Sequence, residues 1–249
     1  MTISTLYDKA RFTVGKVMLF LKFIFFPSWI TKQNDIDHAE YVRVDFKSND
    51  LPLVISFAGL GGQFNFLRSL DGFAANVIYI KDLKHHWYLT GIPGAGNTVP
   101  EITEFLKGKA TEFRATRVIT LGTSAGGFAA LLFGAQIGAT SIIAISPQTF
   151  MNKWNCIRYL DYRWLDRVVE VYRANDDNRQ FLDIKSLVSE YQGDVTLIYD
   201  VTHRLDNLHA GRISGNHIVR VEEKSGGHNV ARTMKNEGRL DQLLKETIA

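Results

Sequence analysis

The sequence predicts an α/β fold, a mostly parallel central sheet with helices on both faces. Three observations carry that expectation. Apolar runs of strand length, rich in β-branched residues, recur at 53–57, 76–81, 118–121, 141–145, 194–199 and 217–221. Segments with helical spacing stand between several of them, and strands that alternate with helices are joined by crossovers into a parallel sheet. At the centre, RVITLGTSAGGFAALLFGAQIG places Gly122-Thr123-Ser124-Ala125-Gly126 between an apolar run and a small-residue segment that reads as an amphipathic helix.

Taken in order, the chain begins with its least regular part. From Val17 to Phe26 every residue except Lys22 is apolar, Pro27 ends the run, and Lys9, Arg11 and Lys16 precede it. A helix needs about 20 apolar residues to span a bilayer, so this run is too short. Lys22 interrupts what would be a signal core, and no small-x-small cleavage site follows. Two readings stay open for residues 17–30: a helix docked on the domain, or a Phe-rich face (Phe20, Phe23, Ile24, Trp29) making peripheral contact with a membrane surface. We therefore expect an amino-terminal apolar segment at 1–39 and one domain at 40–249.

Val42, Val44 and Phe46 alternate with Arg43, Asp45 and Lys47, the period of a half-buried strand. Asn49-Asp50 turns the chain into the buried strand Leu53-Val54-Ile55-Ser56-Phe57, which breaks at Ala58-Gly59-Leu60-Gly61-Gly62. A glycine-rich break after a core strand leaves backbone N–H groups free to meet a substrate oxygen, as in an oxyanion hole; a plain strand-to-helix turn is the alternative. After the strand at 76–81, His85-His86 reads as a loop packed through Trp87 and Tyr88, since adjacent residues point apart and no third ligand has metal-site spacing. Thr98 and Glu101 have capping-box spacing, with Pro100 in the first turn and Ile102, Phe105, Leu106 and Phe113 as the apolar stripe.

The glycines around Ser124 have a mechanical purpose: a serine at the tip of a sharp strand-to-helix turn needs neighbours without side chains. A phosphate-binding loop is the alternative, but no Lys-Ser/Thr pair follows. Residues 150–193 interrupt the strand–helix alternation. Leu165, Val168, Val169 and Tyr172 suggest a small helical insertion, either a lid or a surface hairpin. Beyond the strand at 194–199 come two carboxylates, Asp200 at its end and Asp206 in a loop at 202–210, and Asp206 is favoured as the partner of a histidine because it lies past the strand. His228 sits in Ser225-Gly226-Gly227-His228, a glycine loop before a final helix. In the order Ser124, Asp206, His228 it is the best base in the chain.

Composition narrows the partners. In 249 residues, 29 Lys and Arg against 26 Asp and Glu give a net +3, which argues for no nucleic-acid partner. Cys156 is the sole cysteine, so no intrachain disulfide forms, compatible with a reducing, cytoplasmic compartment. No Cys/His cluster or cofactor motif is present, so we expect neither metal nor cofactor.

These motifs resemble the α/β-hydrolase fold family from about Tyr41 onward: GTSAG, the FAGL stretch ending at Leu60, DLKHHWYLTG after a strand, Asp206, and GGH ending at His228. Ala58 stands where that family usually has a histidine. The resemblance implies a nucleophile Ser124, a base His228, an acid Asp206, and oxyanion N–H groups of Ala125 and of Leu60, with Gly59 the alternative to Leu60 because of the departure at Ala58. It implies a serine esterase working through an acyl-enzyme on a small-molecule or glycan-linked acyl ester. An O-acyltransferase with the same triad and a non-catalytic binding protein are the alternatives. A fainter similarity is to small hydrolase-like proteins of bacterial glycan and accessory-secretion pathways.

Overall fold

A computed structural model describes residues 40–174 and 176–248, Asp176 and Asp177 by their backbone alone. The apolar segment at 17–30 and the boundary at residue 39 lie outside the described residues. The strands are β1 (Val42–Asp45), β2 (Leu53–Phe57), β3 (Asn76–Ile80), β4 (Val118–Thr123), β5 (Ser141–Ile145), β6 (Asp194–Asp200) and β7 (Ile218–Glu223). They form one sheet in the order β1-β3-β2-β4-β5-β6-β7, with β1 antiparallel to β3 and all other pairs parallel.

The helices are α1 (Leu67–Leu70), α2 (Val99–Glu112), α3 (Ala125–Ile137), α4 (Lys153–Tyr159), α5 (Leu165–Ala174), α6 (Lys185–Glu190), α7 (Arg204–Gly211), α8 (Val230–Asn236) and α9 (Arg239–Ile248). Strands buried on both faces read as unbroken apolar runs, and β2, β3 and β5 are buried along their whole length. On one face Leu53, Ile55, Phe57, Ile78 and Ile80 pack with Ile102 and Leu106 of α2 and with α3; on the other, Val54, Val77, Ile119 and Leu121 pack with α8 and α9. Helices therefore cover both faces, as the sequence pattern requires.

Several local expectations are corrected. β1 is a strand but not half-buried: Val44 is 41% and Phe46 49% exposed. Among the described residues it is an edge strand paired only with β3, although the Phe46 ring keeps the Phe113 ring for cover at 4.9 Å. α3 is not amphipathic, being buried from Ala125 to Gly134, because it is wedged between β2, β4, β5 and the outer helices α2 and α6. The final helix is two, α8 and α9, broken at Gly238 (φ 74°). At α2 Thr98 is the cap its spacing suggested, its Oγ1 accepting from the Glu101 N–H, and only the reciprocal half of the box is shifted, the Glu101 carboxylate accepting from the Asn97 N–H in place of that of Thr98.

Residues 150–193 are helical as expected, with α4, α5, a 3-10 turn at Asp176–Phe181, and α6. Val168, Val171, Leu182 and Val188 join the main core, so the insertion packs on the sheet layer below it. Its Cys156 is buried, which pushes the thiol up to about 12, and so it carries no thiolate at neutral pH. Among the described residues no helix is long and apolar enough to cross a membrane.

Candidate active site

The chain leaves β2 for β3 on one side and returns to β4 on the other. In open sheets of this kind the crevice at the carboxyl ends of such diverging strands is where ligands bind. Ser124 stands at the end of β4, and Gly59-Leu60 follows the end of β2.

Ser124 has φ 54° and ψ −118°, a conformation that costs a non-glycine residue about 1–3 kcal/mol and persists only where the surroundings impose it. Its N–H donates to the Ile145 carbonyl (2.9 Å), and its carbonyl accepts from the Phe128 N–H (3.0 Å). The flanking glycines are sterically obligatory. A Cβ on Gly122 would lie 2.0 Å from the Gly126 oxygen, and one on Gly126 would lie 2.2 Å from the Phe57 oxygen.

His228 Nε2 lies 2.9 Å from Ser124 Oγ, and its Nδ1 lies 2.9 Å from both Asp206 oxygens. The structure thus brings the three residues together from a strand end, a helix and a 3-10 turn. Asp206 is not in a loop, as its sequence suggested, but in the first turn of α7, where it is 1% exposed. His203 caps that helix, its ring accepting from the Asp206 N–H, and the inward face carries Asp206, His209 and Ala210, one turn apart.

Burial by itself would raise the Asp206 carboxyl. The hydrogen bond from His228, followed by the charges of His228, His203 and Arg163, outweighs it and holds the group below the usual carboxylate range. An anionic Asp206 only accepts, so the proton on His228 resides on Nδ1, and Nε2 offers its lone pair to the Ser124 hydroxyl.

Asp200 has other work. Its carboxylate accepts from the Thr202 N–H (2.8 Å) and hydroxyl (2.6 Å) and from the Gly227 N–H (2.7 Å). The Thr202 hydroxyl above all holds it below the usual range. It ties the end of β6 to the turn that carries His228.

The loop after β2 is anchored beside the serine. A Cβ on Gly59 would lie 4.0 Å from Ser124 Cβ, Leu60 packs on the core, and the buried Tyr88 hydroxyl donates to the Ala58 carbonyl (2.8 Å). Ala125 opens α3, whose first N–H groups have no intrahelical partner. Asp82 organises the His85–Tyr88 loop by accepting from the N–H groups of Lys84, His86 and Tyr88. Trp87 and Tyr88 are buried, and His86 is bound to Thr90 and Glu170.

Sequence reasoning missed a buried charge network behind the acid. Arg163 grips Asp161 through Nε and Nη2 (both 2.9 Å), His209 Nε2 lies 2.9 Å from Asp161, and Arg163 Nη1 is 3.7 Å from Asp206. The Thr149 N–H donates to His209 Nδ1 (3.0 Å), so the His209 proton is on Nε2 and donates to Asp161. Burial would raise Asp161, yet the hydrogen bonds from His209 and Arg163 hold it far below the usual range; burial lowers His209 despite the attraction of Asp161. The Asp161-x-Arg163 spacing on a segment rich in aromatic residues is the only signal the chain offered. His203, Asp206 and His228 also present three donor atoms within 4.8 Å of one another, the one cluster among the described residues with metal-ligand geometry.

No family model and no curated protein matches the chain. Among solved structures it is similar to the capsule O-acetyltransferase of Neisseria meningitidis serogroup A, at 17% identity and TM-score 0.57, over 82% of this chain and 92% of that one. A 2,6-dihydroxy-pseudo-oxynicotine hydrolase aligns at 15% identity and TM-score 0.60, over 84% and 64%. Acetyl xylan esterase 1 from Thermoanaerobacterium sp. aligns at 16% and TM-score 0.52, over 81% and 78%. The sheet order, the helices on both faces and these likenesses establish that the chain has the α/β-hydrolase fold.

Proposed function

We propose that the protein is a serine acyl-ester hydrolase that works through an acyl-enzyme, with Ser124 as nucleophile, His228 as base and Asp206 as acid. The observation that carries this reading is the unbroken hydrogen-bond chain from Ser124 Oγ through His228 to a buried, anionic Asp206. His228 Nε2 takes the hydroxyl proton as Oγ forms its bond to the acyl carbon, and Asp206 stabilises the imidazolium that results. The N–H groups of Leu60 and Ala125 receive the oxyanion, each contributing roughly 10²–10³ in rate. On collapse the alkoxide leaves with the proton from His228. Water, deprotonated by the same imidazole, then attacks the acyl carbon, and as the acyl–Oγ bond breaks His228 returns that proton to Ser124 Oγ and the acid is released.

Acyl transfer is the second reading, favoured by the likeness to a capsule O-acetyltransferase over most of both chains. It differs only in that an acceptor hydroxyl replaces water in the last step. A fluorophosphonate probe should label the protein and fail to label Ser124→Ala, whose unfolding should change by no more than about 0.5 kcal/mol. Labelling that persists in Ser124→Ala refutes the assignment. Product analysis with and without a sugar acceptor then separates hydrolysis from transfer.

A further inference from the structure

Beside the serine lies a groove of about 490 Å³, within the range of small-molecule sites (about 300–1,000 Å³). Thr123, the residue before the nucleophile, and His228 form part of its wall. The segment at 64–69 and α8 also line it, the first contributing Arg68 and the second Arg232 and Lys235. Among the described residues no acidic side chain lines it. Lys235 is neutralised by Asp241 at 2.6 Å, but neither Arg68 nor Arg232 has an ion pair among the described residues, and both are exposed. The groove therefore carries two uncompensated guanidinium groups next to the reacting histidine.

The wall is built rather than loose. Asn65 Nδ2 donates to Thr123 Oγ1 (3.0 Å), Ser56 Oγ donates to the Asn65 carbonyl (3.1 Å), and Phe66 holds a left-handed conformation (φ 62°) that starts α1. Arg68 is thus carried on a segment pinned to both β2 and β4, the strands that lead to Gly59 and Ser124. Guanidinium forks suit carboxylate and phosphate because they bind both oxygens at once. Phe64 and Phe66 add apolar surface beside these charges.

We infer that this groove is the substrate subsite that selects acyl esters, or acyl acceptors, bearing a carboxylate or phosphate near the reacting oxygen, with Arg68 and Arg232 as specificity-determining residues. The inference rests on the serine acyl-transfer reading for its chemistry, but the anion site can be tested without turnover. Both arginines are exposed, so each contributes at the scale of a solvent-screened ion pair.

The test uses the full chain and two matched esters, para-acetoxybenzoate and the neutral para-acetoxybenzamide. The wild type should prefer the anion in kcat/KM, through KM, and added salt should erode that preference. Arg68→Gln and Arg232→Gln should each reduce the anionic-to-neutral ratio about three- to fivefold, and the double variant about tenfold or more. Lys107→Gln on α2, far from the groove, should leave the ratio alone. In parallel, Ser124→Ala is titrated with para-acetoxybenzoate by calorimetry, where saturable, salt-dependent binding should weaken when Arg68→Gln is added. Such binding without turnover by the wild type would refute the serine chemistry and keep the groove. Turnover with a ratio indifferent to both arginines and to salt would overturn the groove and keep the chemistry. Inorganic phosphate that competes as tightly as the ester would make this a free-anion site and overturn the substrate assignment.

Discussion

Asp206→Asn separates orientation from electrostatics in the candidate triad, because the side chain keeps its shape while losing its charge. The carboxylate is 1% exposed, with both oxygens 2.9 Å from His228 Nδ1, so the charge centres of the anion and the developing imidazolium are about 4 Å apart. At an effective dielectric of about 20, removing that attraction costs about 4 kcal/mol, close to 10³ in rate. The amide adds a second penalty: its NH₂ can donate to Nδ1, which moves the imidazole proton to Nε2 and aims it at Ser124. In a serine protease triad the same substitution costs about 10⁴ in kcat. The expected loss here is therefore roughly 10³–10⁴ in kcat on a soluble activated ester, with KM nearly constant. Arg163 retains its grip on Asp161, so the variant should stay folded, as thermal unfolding will show. Asp200→Asn, which touches Thr202 and Gly227 instead, should cost far less. A loss under about tenfold for Asp206→Asn, or a larger loss for Asp200→Asn, would refute this reasoning.

Gly122→Ala should abolish soluble expression or lower stability by more than about 3 kcal/mol, since its Cβ would stand 2.0 Å from the Gly126 oxygen; near-normal unfolding would mean that the elbow can relax. Stability should also fall as pH drops below about 6.5, because His209 is held neutral by burial while the unfolded chain takes up the proton there. The slope is at most about 1.4 kcal/mol per pH unit, and it should flatten in His209→Gln; denaturant titrations across this range that show the same slope in both proteins would remove His209 as its source.

How much was legible in the sequence follows from the range of the forces involved. The Gly-x-Ser-x-Gly turn, the apolar strand runs and the Thr98 cap are set by backbone sterics and by side chains within a few positions of one another, so they can be read from the chain directly. The period of Val42, Val44 and Phe46 likewise identified a strand, but its burial depended on whether a neighbour covered it, and an edge strand has only one. The candidate site needed still longer reach. Asp206, within reach of His228 and not Asp200, was decided by α7, which turns residues 206, 209 and 210 inward. The Asp161–Arg163–His209 network and the presence of Arg68 and Arg232 in the lining of one groove join segments that no local pattern connects. Composition records only that the cations and anions nearly balance, whereas the tertiary structure decides which are neutralised and which are left facing the site. Solvent screening and burial act on charges through space, and distance along the chain carries no information about either.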